Sequence, residues 1–145
     1  VDSETGFSPR AVGSDIRLAL PALPENIGVV RLLVGCLAVS LGMEEAVVAD
    51  LRLAVTEACT NVVRHAYDDT AGPLEITIHP TEDTLNIIVA DDGRGIAPSP
   101  DVAGPGLGLP LIAALTDGLE IQRREGAGSR LMMSFRLRRL DRATA

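Results

Sequence analysis

Apolar positions recur along the chain with two periods, and the switches between them lay out the elements. Residues 15–20, Asp-Ile-Arg-Leu-Ala-Leu, follow the period of two that marks a half-buried strand. Pro21 and Pro24 break it; Ile27, Val30, Leu33, Val34 and Leu37 then fall at helical spacing, which predicts a helix over 25–41 ended by Gly42. A second helix follows over 44–65, with Leu51, Val55, Ala58 and Val62 as its core-facing stripe. The turn-rich residues 68–73 lead into a strand over 74–79, a hairpin loop at 80–83 and a strand over 84–90. The run Ile87, Ile88, Val89 predicts a central position for that strand. Residues 93–105 keep no period and become rich in Gly and Pro, as a loop or lid does. A short helix over 107–115 and a last hairpin, with strands over 119–124 and 130–137, complete the pattern.

Strands joined by hairpins make a mostly antiparallel sheet, and the helices must bury their stripes on one face of it. The expected fold class is an α/β two-layer sandwich: a mixed, mostly antiparallel sheet of about five strands with three helices on one face. Residues 1–13 read as a flexible arm, 14–140 as a single domain and 141–145 as a frayed tail.

Composition changes this picture in three respects. Apolar residues make up 46% of the chain but aromatic ones only 2%, so Leu, Val, Ile and Ala must fill the core. The net charge is −7, which disfavours nucleic acid as a partner. All 13 basic residues are Arg, so any cation that meets a phosphate here does so as a planar fork. No apolar run has transmembrane length, and the N-terminus shows no charged-then-apolar signal pattern. Cys36 and Cys59 fall on the predicted helices without metal-ligand spacing. They are expected as buried free thiols, in keeping with a cytoplasmic protein.

Candidate chemistry sits at three places. Glu57 and Asn61 lie four apart on one flank of the second helix, with Arg64 following on that flank and His65 at its edge. Such a row also describes a solvated face carrying an acid and a base. After the central strand comes Asp91-Asp92-Gly93-Arg94-Gly95. An Asp-Gly turn is common at strand ends, but a carboxylate there can also accept a hydrogen bond from an exocyclic amine such as adenine's, and Gly93 and Gly95 let the backbone come close to a ring. Gly104-Pro105-Gly106-Leu107-Gly108 opens a helix whose free N–H groups and dipole suit an anion, although Pro105 has no N–H to offer.

Taken in that order, Glu-x-x-x-Asn, Asp-x-Gly-x-Gly and Gly-x-Gly-x-Gly resemble the Bergerat-fold ATPases, the superfamily of histidine kinases, gyrase and MutL. The short chain and the variant Asn61-x-x-x-His65-Ala66-Tyr67 resemble the anti-sigma-factor serine kinases, over roughly residues 14–138. The resemblance implies ATP and Mg²⁺ as cofactors. It maps the adenine-reading carboxylate to Asp91, beside Gly93 and Gly95, with Ser129 in support where the family usually carries Thr. It maps the phosphate cradle to Gly104, Gly106, Leu107 and Gly108, the metal ligand to Asn61 and the catalytic base to Glu57. Arg64 matches the basic position of the histidine-kinase motif, and Arg94 is a second candidate phosphate contact. His65 is expected to pack or cap beside the sheet. The implied partners are a sigma factor, a STAS-type antagonist phosphorylated on serine, and a second copy of the chain. Two other readings stay open: a nucleotide-binding module that acts by protein contact alone, and the ATP-binding domain of a larger phosphatase or sensor. An intact Glu57 favours the kinase, since binding alone does not require it.

Overall fold

In the computed structural model, which describes residues 15–94, 108–124 and 127–137, each period becomes the element it predicts. In chain order these are β1 (Ile16–Pro21), α1 (Pro24–Ser40), α2 (Glu45–His65), β2 (Pro73–Pro80), β3 (Thr84–Asp91), α3 (Gly108–Leu115), β4 (Gly118–Arg124) and β5 (Gly128–Arg136). Pro24 stands in the first turn of α1, where its missing N–H costs nothing, and Asn26 Nδ2 donates back to Pro21 O across 2.8 Å.

The strands form one sheet in the order β1-β2-β3-β5-β4, with every neighbouring pair antiparallel. The parallel component of a mixed sheet is therefore missing among the described strands. β3 is central, as its apolar run predicts. Leu74, Ile76 and Ile78 of β2, Leu85, Ile87 and Val89 of β3, and Leu131, Met133 and Phe135 of β5 share the buried face. Against them pack Val30, Val34 and Ala38 of α1, Leu51, Val55, Ala58 and Val62 of α2, and Ile112 of α3. This is a two-layer core of aliphatic side chains, to which Phe135 adds a fully buried ring. The opposite face of the sheet carries Arg17, Thr77, Ile88 and Arg130. A concavity of about 440 Å³ there extends to Asp91, Asp92 and Ser129 at the sheet's end.

The cysteines do not share one environment. Cys59 is fully buried, and burial pushes its thiol up to about 12. Cys36 is exposed, contrary to the expectation of two buried thiols. The reason is helical phase: Val30, Val34 and Ala38 step by four along the buried side of α1, and Cys36 stands two residues from Val34 and Ala38, on the other side. Val29, Leu32 and Val39 are also solvent-exposed, so α1 is apolar on its outer side too.

Candidate functional site

Asp91 continues the inward alternation Leu85, Ile87, Val89, so the pleat sends its carboxylate to the helix side of the sheet, where it is 5% exposed. A buried carboxylate needs hydrogen-bond donors. Gly93 N–H donates to Oδ1 and Ser129 Oγ to Oδ2, each across 2.8 Å. Ser129 is available because the β3–β5 register sets it directly opposite Asp91. An ionised carboxylate has about four acceptor positions. These two bonds leave capacity for a ligand amine.

Two glycines shape the surroundings. Gly128 has φ +95°, and a Cβ there would stand 1.9 Å from Asp91 O. A side chain at this position would therefore strain the start of β5 against the end of β3. At Gly93 a Cβ would stand 2.0 Å from Ala66 O, so this turn lies directly on the end of α2.

On α2, Glu57 and Asn61 are both half-buried. A Cβ built on Gly108 would meet Asn61 Oδ1 at 3.1 Å and Nδ2 at 3.2 Å, which puts the carboxamide against the first residue of α3. The helix packing thus brings the Glu-x-x-x-Asn flank to the N-terminus that the last glycine motif opens. Gly95, Gly104, Pro105, Gly106 and Leu107 lie outside the described residues. Arg64 is exposed on α2, one turn beyond Asn61.

Arg94 has a more specific placement than the sequence indicates. Its Nε donates to His65 O (3.0 Å), its Nη2 to Asp68 Oδ1 (2.5 Å) and its backbone N–H to Ala66 O (3.1 Å). His65 itself is half-buried at the end of α2, where its carbonyl takes part in this contact.

Tyr67 is a residue for which sequence reasoning assigned no role of its own. Its hydroxyl donates to Pro73 O (2.7 Å) and accepts from Asp92 N–H (2.8 Å). Desolvation raises its pKa, the charges of Asp91, Asp92 and Glu75 add to the rise, and the Asp92 N–H bond opposes it. The phenol stays a neutral donor at physiological pH. Its position directly after His65 and Ala66 in the quoted motif was the available signal.

No group of three or more His, Cys, Asp or Glu among the described residues could hold a metal ion. A magnesium ion that accompanies a nucleotide keeps most of its waters and takes only one or two protein oxygens. The half-buried carboxamide of Asn61, beside the N-terminus of α3, fits that smaller demand.

Comparisons with known proteins show the family. Residues 20–135 match the family described as "Histidine kinase-like ATPase domain". The chain is 39% identical over 126 residues to the serine-protein kinase RsbW of Halalkalibacterium halodurans, an alignment covering 77% of each protein. It is 34% identical over 145 residues to the RsbW of Bacillus subtilis, covering 89% of this chain and 91% of that one. Among solved structures, the RsbU and RsbW domains of a Mycobacterium tuberculosis protein superpose with a TM-score of 0.69 at 21% identity. That match covers 86% of this chain, which spans about a third (32%) of the other. The histidine kinase domain of the blue-light activated kinase from Erythrobacter litoralis gives 0.56 at 21% identity, covering 81% of this chain and 62% of that one. At these identities the two structures speak to the fold, the Bergerat-type sandwich of sheet and helices. The family match and the two kinase relatives carry the assignment: the chain belongs to the histidine kinase-like ATPase domain family, among the relatives of the RsbW serine-protein kinases.

Proposed function

We propose that this protein is an ATP- and Mg²⁺-dependent serine kinase that phosphorylates a STAS-type anti-sigma-factor antagonist and also holds a sigma factor. The observation that carries the reading is the Glu57–Asn61 flank of α2, whose carboxamide stands against Gly108 at the start of α3. A phosphate seated at that helix N-terminus would lie beside the Asn61 carboxamide, with Glu57 one helical turn earlier on the same flank. Asp91 accepts the adenine amine, with Gly93 and Ser129 holding its carboxylate. Asn61 supplies an oxygen to the metal. Arg64, exposed one turn beyond Asn61, reaches a phosphate of the nucleotide, and Gly95, Gly104, Gly106 and Leu107 retain their expected roles in the nucleotide cradle.

The nucleotide supplies the transferable phosphoryl group. Glu57 orients the attacking serine hydroxyl and takes its proton as the new P–O bond forms and the bond to the β-phosphate oxygen breaks, the leaving oxygen carrying the charge. No described helix is long and apolar enough to cross a membrane. The edge strands β1 and β4 each have one strand neighbour in the described sheet, and we assign one of these edges to pairing with a second copy of the chain.

The direct test incubates the protein with labelled ATP, Mg²⁺ and a panel of small STAS-type antagonists. Phosphoserine on one of them is the expected outcome. Label on none, with ATP still bound, would leave a binding module. Asn61→Ala tests the metal assignment separately. Nucleotide affinity should drop roughly tenfold or more with Mg²⁺ present and hardly change in chelator, as for loss of a contact to a charged group. An equal drop in both conditions would make Asn61 a packing residue of α2.

A further inference from the structure

Tyr67 and Arg94 tie together two segments: the end of α2 and the turn after it, residues 65–73, and the exit of β3, residues 91–94; of their bonds only Tyr67 Oη to Pro73 O stays within the first segment. Tyr67 Oη joins Pro73 O to Asp92 N–H. Arg94 joins its backbone N–H to Ala66 O, its Nε to His65 O and its Nη2 to Asp68 Oδ1. Asp92 directly follows Asp91, and Gly93, whose N–H holds Asp91 Oδ1, is pressed on Ala66 O. We propose that Tyr67 and Arg94 are positioning residues that latch the base-reading carboxylate of Asp91 to the helix carrying Glu57 and Asn61. The proposal rests on the reading of Asp91 as the adenine acceptor.

The chemistry at the helix end supports it. The last carbonyls of a helix lack intrahelical donors and sit at the negative end of its dipole, so a cation donating to them is favoured there. Arg94 does this with its Nε and with its own N–H. The ion pair to Asp68 adds little, because the side chains are 58% and 74% exposed. Tyr67 acts on the other side of the turn. Its ring lies over Gly72, and its hydroxyl supplies an acceptor for Asp92 N–H, which stands beside the carboxylate that must be held. With both in place, the distance from base reader to phosphate-facing helix is set by hydrogen bonds as well as by the sheet–helix core.

This role differs in its consequences from a phosphate contact by Arg94. A residue that positions Asp91 acts on the base and affects adenosine as much as ATP. A phosphate contact acts only on ligands that carry phosphate. The experiment measures adenosine, ADP, ATP and GTP binding calorimetrically in chelator for the wild type, Tyr67→Phe and Arg94→Gln, with thermal unfolding alongside. Each variant should lose roughly three- to tenfold in affinity for adenosine, ADP and ATP alike, the scale of one or two net hydrogen bonds, and its preference for ATP over GTP should narrow by the same factor. Arg94→Gln losses that grow with phosphate number and vanish for adenosine would overturn the latch in favour of a phosphate contact. A lowered unfolding temperature with the ATP-to-GTP ratio intact would reduce both residues to fold stabilisers. A wild type that does not distinguish ATP from GTP would remove the Asp91 reading, and the latch with it; a wild type that does, beside variants that keep the full preference, would remove the latch alone.

Discussion

Glu57→Gln is expected to lower phosphoryl transfer to the antagonist serine by about 10²–10⁴, while nucleotide affinity stays within roughly threefold. Glutamine keeps the length and hydrogen-bonding reach of the side chain and removes only the basic oxygen. Glu57 is half-buried, one helical turn before Asn61. In our reading it meets the incoming hydroxyl, a group absent until the antagonist docks, so ATP binding has no reason to notice the change. Sigma-factor binding should survive for a related cause, since it depends on a docking surface and not on this carboxylate. The deciding measurement is single-turnover transfer at saturating ATP, wild type beside variant. Equal rates would mean that alignment of the reactants alone drives the chemistry and that Glu57 is a spectator.

Asp91→Asn should weaken ATP and ADP binding by about 2–3 kcal/mol, the scale of a buried charge-assisted hydrogen bond. The loss follows from the geometry. Gly93 N–H and Ser129 Oγ donate to the two carboxylate oxygens, so an amide at this position must turn its NH₂ toward one of those donors or toward the ligand. The serine hydroxyl can rotate to accept, whereas a backbone N–H cannot. The orientation that suits Gly93 therefore leaves the ligand amine with a weaker, uncharged partner. Calorimetry with ATP, ADP and GTP checks both the loss and its cause. The wild type should favour adenine nucleotides strongly, because guanine presents a carbonyl oxygen where adenine presents an amine. Equal affinities for the two purines would dismiss the adenine assignment.

The main elements were readable from the chain because their stripes are long and regular. The helix expected over 25–41 runs from Pro24 to Ser40, and the one expected over 44–65 from Glu45 to His65. The inward aim of Asp91 was implicit in the alternation from Leu85, although the predicted strand stopped one residue short of it. The exposure of Cys36 follows from helical phase, which sets it opposite Val34 and Ala38. Other features depend on long-range contacts that periodicity does not carry. The Tyr67 hydroxyl meets an N–H 25 residues away, and Arg94 meets an acceptor 29 residues back. Asn61 reaches Gly108 only because α2 and α3 pack side by side. A motif names the residues that can meet; the packing sets which of them do.

The pairing of β3 with β5 also bears on when the protein becomes competent during folding. β2–β3 and β4–β5 are hairpins that close over short connections, whereas Asp91 and Ser129 are 38 residues apart and meet only through the β3–β5 ladder. Closing so long a loop costs chain entropy before any contact repays it, which places this pairing among the slower events. A chain that has formed both hairpins but not the ladder therefore lacks the supported carboxylate. In our reading the nucleotide needs Asp91 and Ser129 together, so it would select the completed sheet and stabilise it by mass action. Ligand supply in this way becomes a term in the folding equilibrium, acting on the step that joins the two halves of the sheet.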